Sequence, residues 1–133
     1  MPPELFTLAE ARAALVAVRE SLAALQRVQV RLREVRAELD ALGRRHLNDG
    51  VVAERRVRAL RQEQQQLGEE AGVHGTAIRT SGAELRNLEE GLLDFPAMID
   101  GTPAYWCWRT GEDDIHWWHP RTTGFAGRRP IAD

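Results

Sequence analysis

Between residues 105 and 119 the chain gathers its only cysteine, Cys107, its only tyrosine, Tyr105, all four tryptophans (Trp106, Trp108, Trp117 and Trp118) and two of its four histidines, His116 and His119. Thiolate, imidazole and carboxylate together are the donor set of zinc or another borderline divalent transition metal. Cys107, Glu112 and His119 are the candidate ligands, His116 is the other imidazole within reach, and a water would complete the sphere. No Cys-x-x-Cys or His-x-x-x-His spacing builds such a site locally, so strand pairing must assemble it. A two-residue loop after Cys107 sets it on the face of His116 and Trp118. A three-residue or bulged loop sets it on the face of His119, and the sequence leaves both registers open.

Two other chemistries are available to the same segment. Cys107 beside His119 or His116 could act as a nucleophile, but no glycine-rich oxyanion turn accompanies it, and a cysteine in mid-strand is usually packed. The tryptophans, with Glu112 and Arg128, could instead line a binding surface; Trp108, Glu112, Trp118 and Arg128 are its candidate residues. The plainer use of the tryptophans is as large side chains that build a core between a thin sheet and a helix. In the tail, Arg128 and Arg129 could clamp a carboxylate or phosphate. More plainly, Phe125 and Ile131 pin the tail to the sheet while one arginine pairs with Asp94, Asp100 or Glu112.

The elements that must position these residues are read from periodicity. Thr7 and Glu10 form a capping box that opens a helix over residues 7–42, whose apolar seam runs Leu8, Ala11, Leu15, Val18, Leu22, Leu25, Val28, Leu32, Val35, Leu39 and Leu42. Gly43 and Asn48-Asp49-Gly50 reverse the chain. A second helix over 50–71 follows antiparallel, with Ala53, Val57, Leu60, Gln64, Leu67 and Ala71 inward. The first helix is about 54 Å long and the second about 33 Å, so the seam from Leu8 to Val18 must be covered by the rest of the chain or by a second copy. Ser81 and Glu84 read as another capping box, opening a short third helix over 81–90 that Gly91 ends. The period then changes to two, with strands over 95–100, 104–109 and 115–119. The fold class is therefore α+β, one domain: a long coiled-coil-like antiparallel hairpin, a short helix and a three-stranded antiparallel meander in residues 92–133.

Composition narrows the partners. Eighteen basic residues, all arginine, face twenty acidic ones for a net charge of -2, which supplies no bulk field for nucleic acid. Glu112, Asp113 and Asp114 argue against single-stranded bases stacking on the nearby aromatics. A single cysteine excludes an internal disulfide, no signal-like run follows Met1, and no segment is long and apolar enough to span a membrane. A cytoplasmic protein is expected.

Gly91-Leu92-Leu93-Asp94-Phe95-Pro96, Cys107-Trp108 with Gly111-Glu112, Trp118-His119, and Gly124-Phe125 through Gly127-Arg128 to Pro130-Ile131 resemble the signature of the bacterial family catalogued as domain of unknown function 2203. The opening Leu5-Phe6-Thr7-Leu8-Ala9-Glu10-Ala11 is similar to that family's start, so the likeness covers essentially the whole chain. It implies a cytoplasmic bacterial protein of about this length and transfers no activity, cofactor or catalytic residue. Some relatives carry the label "division initiation protein". Cys107, Glu112, Trp118, His119 and Arg128 fall on the family's pattern; His116, Trp106 and Trp117 do not, which favours His119 in a shared site. The expectation is a non-enzymatic binding or interaction module with a Trp-rich site, forming a homo-oligomer or meeting a protein partner through the first helix. The alternatives are a zinc-like metal protein using Cys107, Glu112 and His119, and a coiled-coil scaffold linked to cell division.

Overall fold

A computed structural model describes residues 3–45 and 50–132. Helix α1 spans Leu8–Arg45 and helix α2 spans Gly50–Ser81. The expected Asn48-Asp49 turn and His46 lie outside the described residues. The capping box at the start of α1 forms as its spacing requires: the Thr7 amide donates to Glu10 Oε1 at 2.9 Å and the Glu10 amide to Thr7 Oγ1 at 3.1 Å. Along α1 the seam positions Ala11, Leu15, Val18, Leu22, Leu25, Val28 and Val35 are buried.

Helix α2 runs ten residues past the expected end at 71. Gly72 and Gly75 both lie inside the helix with ordinary negative φ, because the seam continues past Ala71 through His74 to Ile78, and Ile78 is buried. Tertiary burial outweighs the roughly 1 kcal/mol that each helical glycine costs. The stop is Ser81 and Gly82. Ser81 Oγ donates to the Ile78 carbonyl at 2.5 Å and accepts from the Ala83 amide at 3.2 Å, so the residue read as opening a helix closes one. Gly82 has φ 91°, a left-handed conformation, and lies against the Phe6 ring.

No third helix forms over 81–90. Strand β1 (Glu84–Asn87) takes that place, followed by β2 (Leu92–Ile99), β3 (Thr102–Arg109), β4 (Trp117–Pro120) and β5 (Arg129–Pro130), in a five-stranded antiparallel sheet ordered β1-β2-β3-β4-β5. The expected three-stranded meander is its centre. Without β1 and β5 the ladder groups along the outer edges of β2 and β4 would lack partners; these two short strands supply them. Asp100 and Gly101, both at positive φ, close β2 onto β3 as a two-residue hairpin. Gly91 also has positive φ (70°), and a side chain there would meet Thr110 Oγ1 at 1.8 Å, so the β1-β2 turn admits no other residue without rearrangement.

One face of the sheet packs on the helices. Leu93, Phe95, Trp108 and Ile115 join Phe6, Ala11, Leu15, Val18, Leu22 and Ile78 in one core. The seam from Leu8 to Val18, longer than its partner helix was expected to cover, is thus covered by the chain's own sheet and by the extra turns of α2. Polar ties fix the docking: Phe6 N donates to Pro96 O at 2.7 Å, Trp106 Nε1 to Phe6 O at 2.8 Å, and Arg12 to Ile115 O at 2.8 Å. No described helix is long and apolar enough to cross a membrane.

Candidate metal centre

The other face of the same strands carries the polar residues. Register decides which ones meet: Cys107 pairs with Asp94 on β2 and with Trp117 on β4, while Tyr105 pairs with His119. Of the two registers the sequence allowed, the chain adopts the one that puts Cys107 on the face of His119. The loop between β3 and β4 is long, and Ile115 drops from it into the core rather than starting the strand. His116 stays outside, 3.0 Å from Asp113, whose carboxyl it holds below its usual range.

Asp94, Cys107 and His119 come together on three adjacent strands. One donor atom from each, a carboxylate oxygen, Sγ and an imidazole nitrogen, lies within 4.8 Å of the other two, and all three residues are buried. At a tetrahedral zinc ion such donors stand roughly 3.5 Å apart, a closure of well under about 1 Å per side chain. Each donor is oriented by its neighbours. His119 Nδ1 lies 2.8 Å from the Pro120 carbonyl, which can only accept, so Nδ1 carries a proton and Nε2 faces the cluster, 3.1 Å from Asp94 Oδ1. The second carboxylate oxygen of Asp94 accepts from Arg86 Nε at 3.0 Å. Burial, reinforced by the Asp94 charge, pushes the Cys107 thiol up to about 12, so without a metal it is neutral and unreactive near pH 7. A divalent ion held there would reverse that balance by taking the thiolate directly.

Sequence reasoning passes over Asp94 as a ligand. Its signal was a lone acid inside the apolar run Leu92-Leu93-Asp94-Phe95, a position that demands a buried partner. Glu112, expected as a ligand, is engaged elsewhere. Its carboxylate accepts from Arg128 at 2.7 and 2.8 Å and from the Arg109 amide at 2.7 Å, and its backbone carbonyl accepts from Trp108 Nε1 at 3.1 Å.

Within the expected binding set, Glu112 meets both Arg128 and Trp108, while Trp118 packs elsewhere. Trp108 is buried toward the helices, Trp118 pairs across the ladder with Trp106 and lies under Arg129 at 5.3 Å, and Arg128 is held between Trp117 and Phe125 at 5.0 and 4.6 Å. Arg128 also reaches the Cys107 carbonyl at 3.4 Å. Together these contacts strap the tail, including the short 3-10 turn Phe125–Gly127, over the edge of the outer face.

A hollow of about 360 Å³ opens beside the three donors, walled by Arg86, Tyr105, Arg121 and Phe125. Fold and cluster together define an α+β protein in which a helical hairpin backs one face of an antiparallel sheet and a three-donor polar group occupies the other. The chain belongs to the family described as an uncharacterized conserved protein, domain of unknown function 2203, whose sequence model matches residues 4–131. No curated protein and no solved structure matches the chain.

Proposed function

We propose that this protein is a binding module built around a divalent transition metal of the zinc class, held by Asp94, Cys107 and His119 with one coordination position open toward the hollow. The observation that carries the reading is the convergence of three different donor types, from three strands, in a buried group whose imidazole already presents Nε2 inward. Carbonyl-anchored histidine is the usual second layer of a metal site, since it fixes the tautomer and raises the basicity of the coordinating nitrogen. The choice among metals follows from softness: a thiolate with an imidazole and a carboxylate suits zinc, whereas magnesium and calcium prefer oxygen alone.

A metal-free account of the same residues is a buried Asp94–His119 ion pair beside a packed thiol. Buried ion pairs add little net stability over apolar replacements, so that account leaves the grouping of three donors without a cause. Elemental analysis of the chain purified without chelators separates the two. The metal reading expects stoichiometric zinc or a similar metal in the wild type, its loss in Cys107→Ala, and its retention in Glu112→Gln. Wild-type protein free of metal, and unable to take zinc up on reconstitution, ends the proposal.

A further inference from the structure

The wall of the hollow carries a charge that no described carboxylate offsets. Arg121 is exposed, and its guanidinium lies over the Tyr105 ring at 5.3 Å from the centroid. Among the described residues no carboxylate stands within salt-bridge reach of it, whereas Arg86 is shared between Asp94 at 3.0 Å and Glu84 at 3.4 Å. Arg86 lies over the same ring at 4.9 Å, so Tyr105 holds two guanidiniums at the mouth of the hollow. A ring contact uses the flat face of a guanidinium and leaves its N–H edge free for a planar or tetrahedral oxyanion.

We propose that the hollow accepts a small oxyanion, a phosphate monoester or a carboxylate, with one oxygen on the metal and another on Arg121. This rests on the metal reading above, because Asp94 without a metal would repel the ligand. Charge balance supports it. A divalent ion is neutralised by Asp94 and the Cys107 thiolate, Arg86 is offset by Glu84, and Arg121 is left as the unmatched charge beside the open coordination position. A volume of about 360 Å³ is at the small end of ligand pockets and suits a ligand of a few heavy atoms. Glycine at 124, with φ 70°, keeps that side of the hollow free of a side chain.

The test uses the full chain loaded with cobalt. A thiolate-to-cobalt charge-transfer band that disappears in Cys107→Ala establishes the metal site alone. Inorganic phosphate and, separately, acetate are then titrated while the visible ligand-field bands are followed, with sodium chloride at matched ionic strength as the control. The expected result is a saturable change with a dissociation constant of roughly 1 mM or tighter for at least one of the two anions. Arg121→Gln, a surface change, weakens it about tenfold and leaves the anion-free spectrum as it was. A response to phosphate alone assigns a phosphate monoester, and a response to acetate alone a carboxylate. An intact charge-transfer band with no response to either anion, or an Arg121→Gln protein that titrates like the wild type, overturns the oxyanion assignment and leaves the metal site standing. Absence of the cobalt band removes both.

Discussion

The two faces of the sheet differ by one residue of register and by nearly everything else. Leu93, Phe95 and Trp108 point toward the helices, into an apolar core whose parts are exchangeable within limits of volume. Asp94, Cys107 and His119 point the other way, are buried as deeply, and place donor atoms where an apolar side chain would fill the space more cheaply. The first face is built for folding. The second tolerates a cost in stability, and such a cost is expected where a structure is kept for what it binds.

The sharpest way to break this comparison is to substitute neighbours on β2 that face opposite ways. Phe95 is fully buried and packs edge-on against Phe6, with ring centroids 5.3 Å apart. Phe95→Ala is expected to cost about 3–5 kcal/mol in urea unfolding while the folded fraction still binds metal. Asp94→Asn keeps the shape but removes the charge facing both Arg86 and His119, and is expected to cost about 1–3 kcal/mol in the metal-free protein and to remove metal binding. If Asp94→Asn bound metal normally, the outer face would be only another core.

The thiol gives a pH-dependent contrast. Folding raises Cys107 from 9.0 to about 12, so between those values the native state holds a proton that the unfolded chain has released. Stability linked to that proton is complete below about pH 9 and is lost as pH rises toward about 12. Metal-free wild type should therefore lose stability across that window, measured by urea midpoint, more steeply than Cys107→Ala. Equal slopes would mean that the thiol is not buried as described.

How much of this could be read beforehand depended on whether the signal was local. The Thr7–Glu10 capping box and the α1 seam are short-range patterns: the box formed as read, and the seam is buried from Ala11 to Val28 and at Val35, with Leu8, Leu32, Leu39 and Leu42 half-buried. The extent of α2 was hidden because Gly72 and Gly75 carry a loop signature that only distant burial of Ile78 overrides. Ser81-x-x-Glu84 is a capping box in composition, yet the strand that follows is set by an unpaired edge on β2, which no local window contains. The placing of Cys107 on the face of His119 was one of two open registers, and the candidate ligand on β2 was outside the segment where ligands were sought. Glu112 had the right chemistry but stands at a turn, where Arg128 and the Arg109 amide already take its oxygens.

The smallest effect offers a control on the whole comparison. Gly72 is helical, and a methyl group built on it meets nothing within 4 Å, so alanine there removes conformational freedom from the unfolded chain without touching a native contact. Gly72→Ala should stabilise the fold by about 0.5–1 kcal/mol. It lies on α2, which packs against the apolar face, so metal content should stay at the wild-type level. If a change that raises stability left the outer face unaltered while Asp94→Asn emptied it, binding would be separated from folding on opposite sides of one sheet. A Gly72→Ala protein that melted lower would instead mean that residues 72–75 leave the helix in solution, and that the core around Ile78 closes differently.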